Sequence, residues 1–113
     1  MSFYFLPFSY SREWLNNFSG HVKNKHMKEL ERILKALANK RRLTIIKYIK
    51  KEKEATVGNI SEEIKLSFKA TSKHLGILAN ADIVEKEQRG LQMWYKFSST
   101  AHPVAKYISN SLE

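Results

Sequence analysis

The chain has no cysteine, two prolines, four glycines and only eleven acidic residues. Without cysteine there is no disulfide framework, thiolate metal site, catalytic thiol or thiol redox switch, which fits a reducing cytosol. No glycine-rich loop can cradle a phosphate, and no Ser/His/Asp set with supporting context is visible, so an enzyme is not expected. Long apolar runs are missing too. The aromatic start, SFYFLPF, has no basic region ahead of it and is interrupted by Pro7, far short of the ~20 residues that cross a bilayer. A cytoplasmic protein without a membrane segment or cofactor is expected.

What is present is positive charge. Twenty Lys and Arg against eleven acids leave a formal charge of +9 over 113 residues, and such a surplus seeks a polyanion. That length suits a single modest core whose helices need a partner chain to cover them, so a homodimer is expected. Charge is unevenly spread: residues 21–53 hold twelve Lys or Arg and three acids, whereas residues 56–97 hold six and five. Aromatics are uneven as well, with seven of thirteen in the first eighteen positions. Residues 1–26 are therefore read as an aromatic N-terminal extension and 27–113 as the folded domain. The extension is open to three readings: an arm packed across a dimer, a surface for another partner, or sequence upstream of a natural start at Met27.

Ser11 can cap a short helix carrying Trp14, Leu15 and Phe18 and stopping at Gly20, and His21 to His26 reads as a linker. From Lys28 to Ala38, Leu30, Ile33, Leu34 and Leu37 keep helical spacing. Asn39 caps a second helix over Arg41 to Lys51, with Leu43, Ile46 and Ile49 as its stripe. Thr56 caps a short third helix with Val57, Ile60 and Ile64 inward. The chain turns at Lys65 and Leu66, and Ser67 caps a fourth helix, Phe68 to Ala81. The period then falls to two: Val84 to Gln88 and Gln92 to Phe97 flank Arg89-Gly90 as a hairpin. Pro103 sits in the first turn of a last helix that carries Val104, Tyr107, Ile108 and Leu112 on one face. The order α-α-α-α-β-β-α, mainly helical with one small hairpin, is the outline of a winged helix-turn-helix.

In the fourth helix the 100° step puts Thr71, Leu75 and Leu78 inward and Lys69, Ser72, Lys73 and Gly76 outward. Lysine donates to guanine O6 and N7, serine pairs with several base edges, and the helix fits the major groove of double-stranded DNA. Ser67 and the free N–H groups of the first turn suit a phosphate. A solvated face is the commoner explanation of one such helix, but the capped pair followed by a hairpin is much rarer. In the hairpin Lys86 and Arg89, near the turn, are within reach of phosphates or the minor groove, and Gln92 and Lys96 lie along the returning strand, although edge charges also protect strands. Trp94, opposite in phase to Met93, Tyr95 and Phe97, is expected to pack on a helix or another chain.

Leu37-Ala38-Asn39-Lys40-Arg41-Arg42-Leu43 with Ile46, and the stretch Leu66 to Phe97 with Ser72-Lys73-His74-Leu75 in register, resemble the arsenical-resistance-repressor (ArsR) family of transcriptional regulators. The resemblance covers about residues 27–112. It implies a winged-helix homodimer that binds an inverted repeat, represses, and is released by an effector, here unidentified. Carried onto this chain, its DNA contacts fall on Lys69, Ser72, Lys73 and His74 and, in the wing, on Arg89 and its neighbours. His74 lies at the helix flank, where a phosphate contact or a satisfied packing role is as open as base reading. Dimer pairing would fall on Leu30, Ile33, Leu34, Leu37, Val104, Tyr107, Ile108 and Leu112. A winged helix that binds protein, or coats nucleic acid without sequence preference, is the alternative.

The departures bear on mechanism. Many relatives carry a cysteine pair in the third helix, where this chain has Val57-Gly58-Asn59-Ile60. His102 stands near the last helix without a matching second ligand, and His21 and His26 are five apart, so no metal site is expected. Asp82 replaces the usual glycine after the recognition helix and must take its left-handed conformation. Gly76, costly inside a helix, would permit a close backbone approach.

Overall fold

The computed structural model describes residues 20–113, with side chains from His26 onward. Helix α1 (Gly20–Leu37) is followed by α2 (Lys40–Glu52), β1 (Ala55–Thr56), α3 (Val57–Ile64), α4 (Phe68–Asn80), β2 (Val84–Arg89), β3 (Gln92–Phe97) and α5 (Pro103–Ser111). Arg32–Glu113 forms a compact unit. The short helix expected over Ser11 to Gly20 lies outside the described residues.

The caps follow from side chains that compete well for free helix N–H groups. Asn39 Oδ1 accepts from the Arg42 amide, Thr56 Oγ1 from that of Asn59, and Ser67 Oγ from that of Ala70. His102 caps α5, its Nδ1 accepting from the Val104 amide, and Pro103 occupies the first turn. Between α3 and α4 the chain reverses at Lys65 in the left-handed region, φ 55°. Asp82 is left-handed too, φ 56°; its carboxylate repays the strain by accepting from the Ser98 and Thr100 hydroxyls at 3.0 and 2.8 Å.

Two expectations need correction. The stretch read as a linker, His21 to His26, is helical, and α1 begins at Gly20. These residues lack an apolar stripe. A helix already nucleated by buried Ile33, Ala36 and Leu37 extends through polar residues at little cost, because each adds one hydrogen bond without a new nucleus. The hairpin is also not alone: β1 joins it in an antiparallel sheet of order β1-β3-β2, pairing Ala55 with Tyr95 and Thr56 with Trp94. Two residues are too few to register as an alternating pattern.

Ile33, Ile45, Ile46, Ile49, Ile60, Leu75, Leu78 and Ile83 are almost wholly buried and, with Val84 and Tyr95, form one core between the helices and the sheet. At roughly 1.5–3 kcal/mol per fully buried aliphatic side chain, this cluster dominates the stability of the unit. The helix-turn-helix of α3 and α4 is held on α2 from below, and β2 packs beside α4. Helix α4 and the hairpin therefore pack on one shared core.

Candidate nucleic-acid interface

The inward face of α4 is Thr71, Leu75 and Leu78, each fully buried. This places Lys69, Lys73 and Gly76 in solvent, with Ser72 half-buried at the shoulder. Among the described residues neither lysine makes an ion pair, so both ammonium groups stay available. No atom lies within 4 Å of a Cβ added at Gly76. The close approach expected there is therefore not made within this chain.

His74 is on the opposite flank from Ser72 and is tied into the protein. The Arg42 guanidinium donates through Nε to the Ala36 carbonyl at 2.6 Å and through Nη2 to that of Lys35 at 3.1 Å, and Nη1 lies 3.3 Å from His74 Nδ1. A guanidinium has only donors, so Nδ1 is the acceptor and the ring is neutral with its proton on Nε2. Partial burial, then the charges of Arg42, Arg41 and Lys73, hold its pKa below the ordinary histidine value. Arg42 thus links the end of α1 to the flank of α4, a contact across 32 positions that no local pattern discloses.

Strand register sorts the wing. Lys86 pairs with Tyr95, whose ring is buried toward the body, while Glu87 pairs with Trp94 and Arg89 with Gln92. By the alternation of strand faces, Lys86 and Arg89 point to opposite sides. Arg89 shares the outer face with Gln92, Trp94 and Lys96. Its guanidinium lies 4.9 Å from the centre of the Trp94 ring, so within this chain Trp94 packs under an arginine. Lys96 sits 3.9 Å from Glu85.

Two apolar residues at this end escaped the sequence reading. Phe68, in the first turn of α4, is 62% exposed, and Leu91, in the hairpin turn beside Gly90 (φ 61°), is fully exposed. With Thr56, Asn59 and Met93 they bound a groove of about 400 Å³ between the start of α4 and the wing tip. Both stand at chain reversals, where no periodicity distinguishes an inward from an outward side chain.

The residues expected in dimer pairing divide by burial. Ile33 and Leu37 are already consumed by the core. Leu30, Val104, Ile108 and Leu112 are half-buried, while Leu34 and Tyr107 remain 49% and 72% exposed. No group of His, Asp or Glu among the described residues is arranged to hold a metal, and no described helix is long and apolar enough to cross a membrane.

Several known proteins share this arrangement. The transcriptional activator HlyU of Vibrio cholerae is 37% identical over 68 residues, which are 60% of this chain and 62% of HlyU. A structure of that protein superposes with a TM-score of 0.66 at 32% identity, covering 78% of this chain and 91% of its own. A Mycobacterium bovis protein, described as a homodimeric winged helix-turn-helix DNA-binding domain, gives 0.72 at 25% identity, over 82% and 83% of the two chains. The transcriptional repressor BigR of Xylella fastidiosa gives 0.62 at 27% identity, over 80% and 85%. Residues 39–86, from the cap of α2 through the first half of β2, match the bacterial regulatory proteins of the arsR family. With its winged helix-turn-helix fold and these relatives, the chain belongs to the arsR family.

Proposed function

We propose that this protein is a dimeric, sequence-specific DNA-binding repressor. The carrying observation is the outer face of α4, where Lys69 and Lys73 are exposed without acidic partners, next to Ser72 and the Ser67-capped N-terminus. Lysine and serine there meet base edges, and the capped first turn meets a backbone phosphate. Exposed Phe68 adds an apolar surface suited to the methyl group of thymine. His74, held neutral and partly buried against Arg42, reaches the DNA only from the flank through Nε2–H. In the wing, Lys86, on the face opposite Arg89 and Gln92, extends the contact to the neighbouring backbone.

Dimerisation is supported by Leu34 and Tyr107, large apolar side chains left exposed on α1 and α5, and by the homodimer described for the Mycobacterium bovis relative. Two copies would present their α4 helices to successive major grooves about 34 Å apart on an inverted repeat. Repression then follows from occupancy of a promoter. HlyU is named an activator and BigR a repressor, so the sign of regulation depends on where the operator lies as well as on the fold.

Selection from random duplexes with the purified protein tests this reading. An enriched inverted repeat with half-sites one helical turn apart is expected, together with repression of a reporter placed behind it. Equal affinity for unrelated duplexes, with a steep loss on adding salt, would instead identify a non-specific coat.

A further inference from the structure

Arg89 is the wing residue that the family resemblance assigns to DNA, yet its guanidinium, on a side chain 41% exposed, is already paired with two carboxylates of this chain. Nη1 and Nη2 donate to the two carboxylate oxygens of Glu54 at 3.1 and 2.8 Å, and Nη2 donates also to Glu87 at 2.9 Å. Two parallel bonds from a planar fork are the strongest and most directional form of this pair. The Trp94 ring beneath it adds a cation–π contact.

The path of this contact matters more than its count. The sheet order is β1-β3-β2. Arg89 is the last residue of β2, Trp94 lies on β3, and Glu54 immediately precedes β1. The side chain crosses the sheet from one edge to the other. β1 supports β3 only at Tyr95 and Trp94, so toward the turn the wing is a bare two-stranded hairpin, marginal by itself.

The electrostatics of that face also oppose a polyanion. Glu54, Glu85 and Glu87 stand there against Arg89 and Lys96, and Lys96 is already near Glu85. A phosphate brought to Arg89 would meet two carboxylates on the same guanidinium. The pull of Arg89 likewise keeps the Glu54 carboxyl below the ordinary carboxylate pKa.

We propose that Arg89 is a positioning residue: it straps the wing tip to Glu54 across Trp94 and so sets the angle at which the opposite face, with Lys86, meets DNA. This rests on the DNA-binding reading only for its functional consequence; the strap itself is a property of the free protein.

The test uses the full chain in two measurements. In the first, amide hydrogen exchange on the free protein compares wild type with Arg89→Lys and Glu54→Gln. Both variants are expected to speed exchange in β2 and β3 near the turn, leaving α2 to α4 unchanged; unaltered wing exchange in both would overturn the strap, whatever the protein binds. In the second, affinity for the selected duplex is measured across a salt series for Arg89→Lys, Arg89→Ala, Arg89→Glu and the exchanged pair E54R/R89E.

A strap makes Arg89→Lys as weak as Arg89→Ala, keeps the wild-type salt slope in both, and lets the exchanged pair recover affinity over Arg89→Glu. A direct phosphate contact predicts the reverse: Arg89→Lys near wild type, a slope reduced by about one unit in Arg89→Ala, and no recovery in the exchanged pair. If wild type selects no duplex, the DNA-binding reading fails, and the exchange experiment alone decides the strap.

Discussion

The outer face of α4 and the outer face of the wing both carry basic side chains, and they have opposite fates. On α4, Lys69 and Lys73 have no acid on their own helix, because Phe68–Asn80 contains neither aspartate nor glutamate. On the wing, Arg89 and Lys96 stand in strand register among Glu85 and Glu87, and Glu54 completes the set. A count of basic side chains alone would rank the two surfaces alike. Their neighbours make one a surface open to an anion and the other a self-satisfied lattice.

The strongest way to break this contrast is to remove the open charges. K69A/K73A is expected to lower affinity for the selected duplex at least thirtyfold, taking about 1–3 kcal/mol for each lost base contact. Both side chains are exposed, so the melting temperature should stay within a degree or two of wild type. Full retention of affinity would move the reading surface away from α4.

The contrast also explains what was legible in the sequence. The caps at Asn39, Thr56 and Ser67 and the inward trio of α4 are local matters, settled by successive residues no more than four positions apart. The Arg42–His74 and Arg89–Glu54 contacts join residues 32 and 35 apart, and only the fold brings them together. Hence the lysines of α4 could be placed from their helix alone, whereas the role of Arg89 depends on a glutamate before a two-residue strand. The polar start of α1 was missed for a related reason: its helicity is inherited from the packing of Ile33 and Leu37.

Phe68 offers a finer test of the open face. If its exposed ring meets a thymine methyl, replacing single thymines of the operator by uracil should cost about fourfold at one position in each half-site, from ~0.8 kcal/mol per buried carbon group. In Phe68→Ala the same replacement should cost nothing. A Phe68→Ala protein that still distinguishes thymine from uracil would show that another side chain reads the methyl.

His74 sharpens the boundary between open face and support. Its pKa is lowered from 6.5 in the folded chain, so between that native value and about 6.5 the unfolded chain binds more protons. Its contribution to stability is thus intact above pH 6.5 and lost as the pH falls through this window. The lowered carboxyls of Glu54 and Glu85 contribute in full above their ordinary value of 4.5 and lose that contribution only as the pH falls below it, outside this window. His74→Gln, whose amide oxygen can still accept from Arg42, should flatten the fall in melting temperature from pH 6.5 to 5 relative to wild type. Parallel curves would mean that neither burial nor the charge of Arg42 holds the His74 pKa below its ordinary value in the folded chain.

The smallest change asks how near DNA comes to the helix itself. Gly76 lies on the exposed side of α4, and a Cβ there touches nothing within 4 Å. Gly76→Ala should therefore stabilise the free protein by about 0.5–1 kcal/mol, the usual gain of alanine over glycine in a helix interior. If the open face packs closely into the groove, the added methyl group meets the duplex, and the more stable protein binds less tightly. Greater stability with unchanged affinity would place the duplex farther out, at the tips of Lys69 and Lys73. Glycine at this position would then serve no approach at all, and only the lysines, not the backbone, would distinguish this helix from the closed face of the wing.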